Sequence, residues 1–246
     1  MYDFSGKHFV ITGGTSGIGL STAKAIVEQG GFVTVTGRDP ERIAHAQTLL
    51  KESGRAVKND ASLLNTGQSL LEELGDTPQI DGLFLNAAIA DIGTIQDIDP
   101  SHYHSIMDTN VRGPFLQISA LSHCLKDKAS VVVTSSSSIY EGAAMTSVYA
   151  ASKGAISAAV RSWARELAPR GIRVNSLCPG PIQSNLRSFL LDEARESFEK
   201  SVVSQVPLGR VASEEEAAAV ALFLLSESSS YVTGSEYAVD GGLIMR

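Results

Sequence analysis

The stretch that most constrains the fold lies near the N-terminus, where a short apolar run meets a cluster of glycines. Residues 7–12 read Lys-His-Phe-Val-Ile-Thr and predict a β-strand, while residues 20–29 have the pattern of a helix. Between them runs Gly13-Gly14-Thr15-Ser16-Gly17-Ile18-Gly19. Glycines let the backbone approach a pyrophosphate, and the following helix N-terminus offers free N–H groups and partial positive charge. This order of elements predicts a pyrophosphate-binding βα junction.

Strand and helix patterns alternate along the rest of the chain. Such alternation predicts a parallel sheet with helices on both of its faces. We therefore expect an α/β fold, a Rossmann-type doubly wound parallel β-sheet of about seven strands. The predicted strands cover residues 7–12, 32–36, 56–59, 82–86, 131–134, 172–177 and 237–242, and the predicted helices cover residues 20–29, 40–53, 63–74, 100–125, 149–169 and 217–225.

The domain organisation follows from the absence of breaks in this pattern. The sequence contains no internal repeat, linker or low-complexity tract, so we expect residues 1–246 to form one domain. The segment 184–210 is polar and irregular, with a few apolar residues. Because long segments of this kind often close over a ligand, we expect it to be a lid over the substrate.

Composition and charge exclude several classes of function. The net charge of −7 argues against a general affinity for nucleic acid or for anionic membranes. No apolar run reaches membrane-spanning length, and the N-terminus lacks a cleavable leader pattern. Cys124 and Cys178 form no paired motif, so a cytoplasmic protein is expected. His102 and His104 lie two residues apart on a predicted helix and point to different faces, so no metal site is expected.

Several candidate residues follow the predicted strands directly. In a doubly wound sheet, ligands bind at the carboxyl ends of the strands. The residues at or just beyond those ends are Gly13, Arg38, Asp60, Asn86, Ser136 and Pro179. We expect them to converge on one crevice.

Tyr149 and Lys153 form a second candidate feature. They are four residues apart at the start of an alanine-rich helical pattern, so both side chains lie on one helix face. A phenol has a pKa of about 10, and a neighbouring cation favours its charged form and lowers that pKa. A tyrosine in this setting can give or take a proton near neutral pH.

These features together resemble the short-chain dehydrogenase/reductase family, in its single-domain branch of about this length. The resemblance covers nearly the whole chain. Its markers are the turn 12–19, Asp60, Leu85-Asn86-Ala87-Ala88, Asn110, Ser136, Tyr149 with Lys153, Pro179-Gly180 and Val239-Asp240-Gly241-Gly242. Their order and spacing are highly specific.

The resemblance implies roles for four catalytic residues. Tyr149 is similar to the family's acid/base, which delivers a proton to the carbonyl oxygen during reduction. Lys153 would lower the tyrosine pKa and bond the nicotinamide ribose. Ser136, thirteen residues before the tyrosine, would donate a hydrogen bond to the same carbonyl oxygen. Asn110 resembles the asparagine that holds a water against the lysine and completes a proton relay.

The resemblance also implies residues that contact the ligands. The cofactor would be bound by Gly13, Thr15, Ser16, Gly17, Ile18, Gly19, Arg38, Asp60, Ala61, Asn86, Ala87, Ala88, Tyr149, Lys153, Pro179, Gly180, Ile182 and Ser184. The substrate would be contacted by Ser138, Tyr140, Met145 and Leu186. Leu85 and Ala88 depart from the family pattern, which has asparagine and glycine there. The departure is expected to remove side-chain bonds that brace the sheet and to add a methyl group near the adenosine ribose.

The end of the second predicted strand indicates which cofactor is used. An NAD-specific site places an acidic side chain there, whereas this chain has Gly37 followed by Arg38. No carboxylate then repels a 2′-phosphate, and the guanidinium is suited to bind one, with Thr15 and Ser16 as further donors. We predict that NADP(H) is preferred and that NAD(H) is possible. If Arg38 instead pairs with Asp39 or stacks on the adenine, both cofactors would be accepted.

The expected function is that of an NADP(H)-dependent oxidoreductase that interconverts a ketone or aldehyde and its alcohol. The alternatives are an NAD-dependent secondary-alcohol or sugar dehydrogenase of the same family, and a cofactor-sensing protein without turnover. Epimerases and dehydratases of the family carry an added C-terminal domain that this length does not accommodate. The family resemblance further implies a homotetramer, and the apolar character of the presumed pocket favours a neutral ketone or keto-ester.

Overall fold

Seven parallel strands form one sheet within residues 2–75, 78–183 and 201–245, the parts of the chain that a computed structural model describes. The strand order is β3-β2-β1-β4-β5-β6-β7, and every neighbouring pair is parallel. The bounds are β1 His8–Thr12, β2 Phe32–Gly37, β3 Gly54–Lys58, β4 Ile80–Leu85, β5 Leu125–Thr134, β6 Arg173–Pro179 and β7 Glu236–Val239. The predicted doubly wound parallel sheet is confirmed.

Helices cover both faces of this sheet. Their bounds are α1 Gly17–Glu28, α2 Pro40–Leu50, α3 Thr66–Leu74, α4 Pro100–Met107, α5 Gly113–Leu121, α6 Ser138–Glu141, α7 Ser147–Leu167 and α8 Glu214–Leu225. None of these described helices is long and apolar enough to cross a membrane.

Two apolar cores follow from the alternation of side chains along the central strands. In β4, Leu83 and Leu85 pack with α3, α5 and α7 on one face, whereas Phe84 packs with α1, α2 and α8 on the other. All three side chains are almost completely buried. A strand covered on both faces needs apolar residues at every position, which explains the continuous apolar run of the sequence here.

The long helix predicted over residues 100–125 is interrupted. An α-helix ends at Met107, a π-helical segment spans Asp108–Arg112, and a second α-helix covers Gly113–Leu121. Strand β5 begins at Leu125, six residues before the predicted start at 131. The early part of β5 is polar and pairs irregularly, because the register against β4 shifts between Ile80 and Gly82. An apolar run alone therefore could not locate its start.

The order of the strands determines where a ligand can bind. The chain winds from β1 outward to β3 and then returns to β4 on the other side of β1. The connections after β1 and β4 therefore leave the sheet in opposite directions and open a crevice at its carboxyl edge. Gly13 and Asn86 follow these two strands and lie on opposite sides of that crevice.

Candidate active site

The turn after β1 can be built only with glycine at several positions. Gly13 and Gly17 have φ angles of +64° and +60°, a region that disfavours L-residues with a side chain. A Cβ atom on Gly19 would lie 2.6 Å from the carbonyl oxygen of Gly13. Helix α1 begins at Gly17, so the backbone N–H groups of its first turn face the cleft without partners inside the helix. The turn thus has the geometry of an anion site.

Asn86 joins three strands at the carboxyl edge. Its Nδ2 donates to the Gly13 carbonyl at 3.2 Å, and its Oδ1 accepts from Thr134 Oγ1 at 2.9 Å. Thr12 Oγ1 accepts from the backbone N–H groups of Asn86 and Ala87 at 3.1 and 3.2 Å. These bonds brace β1, β4 and β5 even though leucine replaces the family's asparagine at the preceding position. Leu85 itself is buried in the core.

Asp60 occupies the loop after β3. Its Oδ1 accepts from the backbone N and the Oγ of Ser62 at 2.9 and 2.7 Å. Burial raises the pKa of Asp60, but the Ser62 bonds and the positive charges of Arg38 and Lys58 outweigh burial, so the net pKa is lowered. The loop packs tightly against the start of α5, because a Cβ on Gly113 would lie 2.5 Å from the Ala61 carbonyl oxygen. Asp60 is thus an ionised, fixed acceptor on the cleft wall.

One arginine directly follows β2 and a second lies in the first turn of α2. Arg38, Asp39 and Arg42 all line the cleft, and Asp39 caps α2 by accepting from the Arg42 backbone N at 2.9 Å. The carboxylate of Asp39 therefore already has a partner. Sequence reasoning missed Arg42, which lies in the first turn of α2. Gly37 is constrained as well, since a Cβ there would lie 2.4 Å from Thr15 Oγ1.

Helix α7 carries the tyrosine and lysine pair. Lys153 is 2% exposed and its Nζ donates to the Thr134 carbonyl at 2.9 Å. The same Nζ lies 5.9 Å from the centroid of the Tyr149 ring. Burial lowers the pKa of Lys153 from 10.5 to about 8, with Cys178 acting weakly in the opposite direction. The lysine still carries its charge at neutral pH, beside the phenol.

Ser136 lies in the turn between β5 and α6. It is 9% exposed, lines the same cleft as Tyr149 and Lys153, and its Oγ accepts from the Ser138 backbone N at 3.2 Å. The flanking backbone is tied to β6, because Ser135 N donates to the Leu177 carbonyl at 2.7 Å. The hydroxyl proton of Ser136 is therefore available to a ligand in the cleft.

Asn110 lies in the π-helical segment and is buried. Its Oδ1 accepts from Ile89 N and its Nδ2 donates to the Ile89 carbonyl, both at 2.9 Å. The Nδ2 also contacts Ser152 Oγ at 3.1 Å, and that hydroxyl donates to the Tyr149 carbonyl at 2.7 Å. The side chain thus connects the loop after β4 with α7. Single-turn π segments occur often at functional sites, and this one turns the Asn110 side chain towards both neighbours.

One cleft of about 630 Å³ collects most of the predicted ligand residues. Its lining includes Gly13, Thr15, Ser16, Gly17, Ile18, Arg38, Asp60, Ala61, Asn86, Ala87, Ala88, Ser136, Tyr149, Lys153, Pro179, Gly180 and Ile182. It also includes Asp91, Ser105 and Thr109, which sequence reasoning did not single out. No group of three or more metal-binding side chains occurs in the part of the chain that the structure describes.

The predicted substrate residues are placed less uniformly. Ser138 Oγ is buried without a hydrogen-bond partner among the described residues, and the Tyr140 hydroxyl donates to Glu236 Oε1 at 2.6 Å. Met145 is 45% exposed, and its carbonyl accepts from Gly93 N at 2.9 Å. The cleft wall includes none of these three residues, Ser138, Tyr140 and Met145. Ser184, Leu186 and most of the predicted lid lie outside the described residues.

Comparison with known proteins agrees with this geometry. A family model described as enoyl-(acyl carrier protein) reductase matches residues 13–244. The chain is 33% identical over 247 residues to the 3-oxoacyl-acyl-carrier-protein reductase FabG of Chlamydia pneumoniae, with 97% of each chain covered. The chain also resembles a solved structure from Brucella melitensis that is described as a short-chain dehydrogenase/reductase, glucose/ribitol dehydrogenase. The two structures superpose with a TM-score of 0.92 at 29% sequence identity, and the match covers 100% of this chain and 99% of that one.

The chain belongs to the short-chain dehydrogenase/reductase family. A further similar structure, a blue fluorescent protein from a metagenomic library in complex with NADPH, has a TM-score of 0.89 at 28% identity. The match covers 98% of this chain and 99% of that one. Short-chain dehydrogenases/reductases are oxidoreductases that use NAD(P)(H). The predicted family membership is confirmed.

Proposed function

We propose that this chain is an NADP(H)-dependent oxidoreductase that interconverts a ketone or aldehyde and the corresponding alcohol. The observation that carries the proposal is the single cleft that joins the glycine turn at one end to Ser136, Tyr149 and Lys153 at the other. The first end suits an anionic dinucleotide, and the second offers hydroxyl groups and a buried cation for a carbonyl oxygen.

The residues of the cleft fit a nicotinamide dinucleotide. Gly13 and Gly17 line the cleft and present only backbone atoms there, so the backbone itself would contact the pyrophosphate. Asp60 would accept a hydrogen bond from the cofactor, and Lys153 would bond the nicotinamide ribose, as the family resemblance implies. When bound, the cofactor would supply or accept the hydride.

The protein side chains would handle the proton and the developing negative charge. During reduction, Tyr149 would donate its phenolic proton to the substrate oxygen, and Ser136 would donate a hydrogen bond to the same atom. The Lys153 cation favours the tyrosinate that remains, because Lys153 is buried and water therefore screens its charge only weakly. Asn110 would keep Tyr149 in place through Ser152, in addition to the water relay that the family resemblance implies.

The preference for NADP(H) over NAD(H) is supported by the charges at the end of β2. Arg38, Arg42 and Asp39 all line the cleft, and the carboxylate of Asp39 is engaged by the N-terminus of α2. A 2′-phosphate would therefore meet two guanidinium groups, which bind phosphate with charge-assisted hydrogen bonds. An NAD-dependent secondary-alcohol or sugar dehydrogenase is the second candidate, and the resemblance to the Brucella structure titled as a glucose/ribitol dehydrogenase supports it.

The test of the proposed activity is turnover with a matched pair of tyrosine variants. NADPH and NADH consumption is followed against a panel of ketones, keto-esters and aldehydes, and NADP⁺ reduction against the alcohols. Tyr149→Phe should lower kcat by about 10²–10⁴-fold and leave the Kd for NADPH nearly unchanged. Tyr231→Phe, which changes a fully exposed phenol, is the control. Wild-type kcat in the Tyr149 variant would exclude Tyr149 as acid/base, and no turnover by the unmodified protein would favour a cofactor-sensing role.

The assembly and the location are part of the same proposal. We expect a homotetramer in the cytoplasm, with α5 and α7 at the interface. Phe115 on α5 is 42% exposed and packs edge-to-face on Trp163 of α7, with 4.9 Å between the two ring centroids. The exposed part of this aromatic pair offers a surface to a second copy of the chain. Light scattering at micromolar concentration measures the mass, and a monomer would contradict this expectation.

A further inference from the structure

Glu236 joins elements that carry the proposed catalytic residues, although it does not line the cleft. It lies on the edge strand β7, opposite Ser176 of β6. Its Oε1 accepts from the Tyr140 hydroxyl at 2.6 Å, and its Oε2 accepts from Ser157 Oγ at 2.7 Å. Ser176 Oγ lies 3.5 Å from Oε2, which is too long for a strong bond. One carboxylate therefore holds a residue of α6 and a residue of α7.

The bond to Ser157 continues to the residue before the active-site serine. Ser135 Oγ and Ser157 Oγ are 2.7 Å apart, and both residues are buried. Because Ser157 has one hydroxyl proton and gives it to the carboxylate, Ser135 must be the donor of this bond. The three groups form a directed chain from Ser135 through Ser157 to Glu236. Such chains polarise each other and are strengthened in a buried setting.

Ser157 stands on the same face of α7 as the tyrosine and the lysine. Tyr149, Lys153 and Ser157 are spaced by four residues each, so they follow one another along that face. The chain through Ser157 thus fixes the position of this face relative to the turn that carries Ser136. Tyr140 lies in α6, directly after that turn, and its hydroxyl donates to the same carboxylate.

We propose that Glu236 is a positioning residue that holds the Ser136 turn in register with the Tyr149 and Lys153 face of α7. The proposal rests on the proposed function, since its consequence is the alignment of two hydrogen-bond donors on one substrate oxygen. The Glu236 carboxylate accepts one hydroxyl from α6 and one from α7, so it can align the two donors without touching the substrate. A displacement of about 1 Å between reacting groups can lower a rate by about 10²-fold.

The test uses variants that break one arm of the contact at a time. Glu236→Gln keeps the shape but replaces one acceptor with a donor, Ser157→Ala removes the relay to Ser135, and Tyr140→Phe removes the other arm. We expect Glu236→Gln and Ser157→Ala to lower kcat about ten- to a hundredfold, with Kd for NADPH changed less than about threefold. The double variant Glu236→Gln with Ser157→Ala should have a kcat no lower than that of the slower single variant, because both changes break the same hydrogen-bond chain. Glu227→Gln, which removes the distant exposed pair with Lys7, is the control.

Hydrogen exchange of the Ser135–Tyr140 amides gives a readout that needs no turnover. Faster exchange confined to this turn and to α7 is expected in Glu236→Gln. If the Ser135–Tyr140 amides of Glu236→Gln exchange at the unmodified rate, the positioning role is overturned. It is also overturned if these amides exchange faster in a variant whose kcat is unchanged. A fall in kcat that parallels losses of Tm and of NADPH affinity would show a general structural role and overturn it too. If the unmodified protein reduces no carbonyl compound, the proposed function fails, and exchange alone then decides whether Glu236 anchors the turn.

If Glu236→Gln does not fold, the two arms are tested separately through Ser157→Ala and Tyr140→Phe. Both changes remove only a hydroxyl group. A fall in kcat for Ser157→Ala with retained Tm supports the relay, and wild-type kcat in both variants overturns it.

Discussion

The buried charge of Lys153 makes the folding stability depend on pH in a way that one substitution should remove. Lys153→Met keeps an unbranched side chain of similar length and deletes the titrating group. In the unmodified protein, the pKa of Lys153 falls from 10.5 to about 8 on folding because burial disfavours the ammonium form. The unfolded chain therefore binds more protons than the folded chain between these two pH values, and stability rises with pH across that window.

The magnitude follows from the size of the pKa change. At about 1.4 kcal/mol per pH unit, the difference between 10.5 and about 8 corresponds to roughly 3 kcal/mol of folding free energy that is present above pH 10.5 and lost below pH 8. About 2 kcal/mol of this change falls between pH 7 and pH 9.5. The substitution also leaves the Thr134 carbonyl without its donor, which costs about 1–3 kcal/mol at every pH. The Thr134 contribution shifts the whole curve, whereas the Lys153 contribution changes its slope.

The assay is urea unfolding of both proteins, without cofactor, at pH 7, 8, 9 and 9.5. Groups distant from residue 153 titrate equally in the two proteins, so the difference in unfolding free energy reports on residue 153 together with the phenol of Tyr149 beside it. The unmodified protein should gain about 2 kcal/mol relative to Lys153→Met as the pH rises. A difference that stays constant within about 0.5 kcal/mol would refute the reasoning and place the lysine in a more hydrated site.

Further predictions concern the cofactor end of the cleft. Arg38→Ala should raise the KM for NADPH about ten- to a hundredfold with little change for NADH, since a charge-assisted bond contributes about 1.5–3 kcal/mol. Arg42→Ala should raise the same KM. Equal kcat/KM values for NADPH and NADH in the unmodified enzyme would contradict this prediction. Gly19→Ala should abolish cofactor binding measured by calorimetry, because its Cβ would lie 2.6 Å from the Gly13 carbonyl oxygen. Gly154→Ala is the matched control, with open space around its Cβ, and should stabilise α7 by about 0.5–1 kcal/mol in urea.

The structure also changes the choice of variant for the cofactor experiment. An aspartate in place of Gly37 would be the natural way to turn the preference towards NADH. Its Cβ would lie 2.4 Å from Thr15 Oγ1, so the substitution would displace the glycine turn as well as add a charge. Arg38→Ala avoids this, because it shortens a side chain that already projects into the cleft.

The sequence by itself determined the features that depend on neighbours along the chain. The alternation of strand and helix patterns predicted the parallel sheet, and the glycines after β1 predicted a turn with positive φ angles between β1 and α1. The spacing of Tyr149 and Lys153 placed both side chains on one helix face. These inferences succeed because the periods of helices and strands, and the φ angles open to glycine, are local properties of the backbone.

Only the tertiary structure decided which distant groups meet. The π segment at Asn110 brings its side chain to Ile89 and Ser152, and a continuous helical pattern in the sequence gave no sign of it. Lys153 is buried where α7 packs on the sheet, and that burial lowers its pKa. Glu236 reaches Tyr140 across 96 positions of the chain. Spacing fixes the face on which a side chain lies. Its partners and its hydration depend on the elements that pack against that face, which no local pattern records.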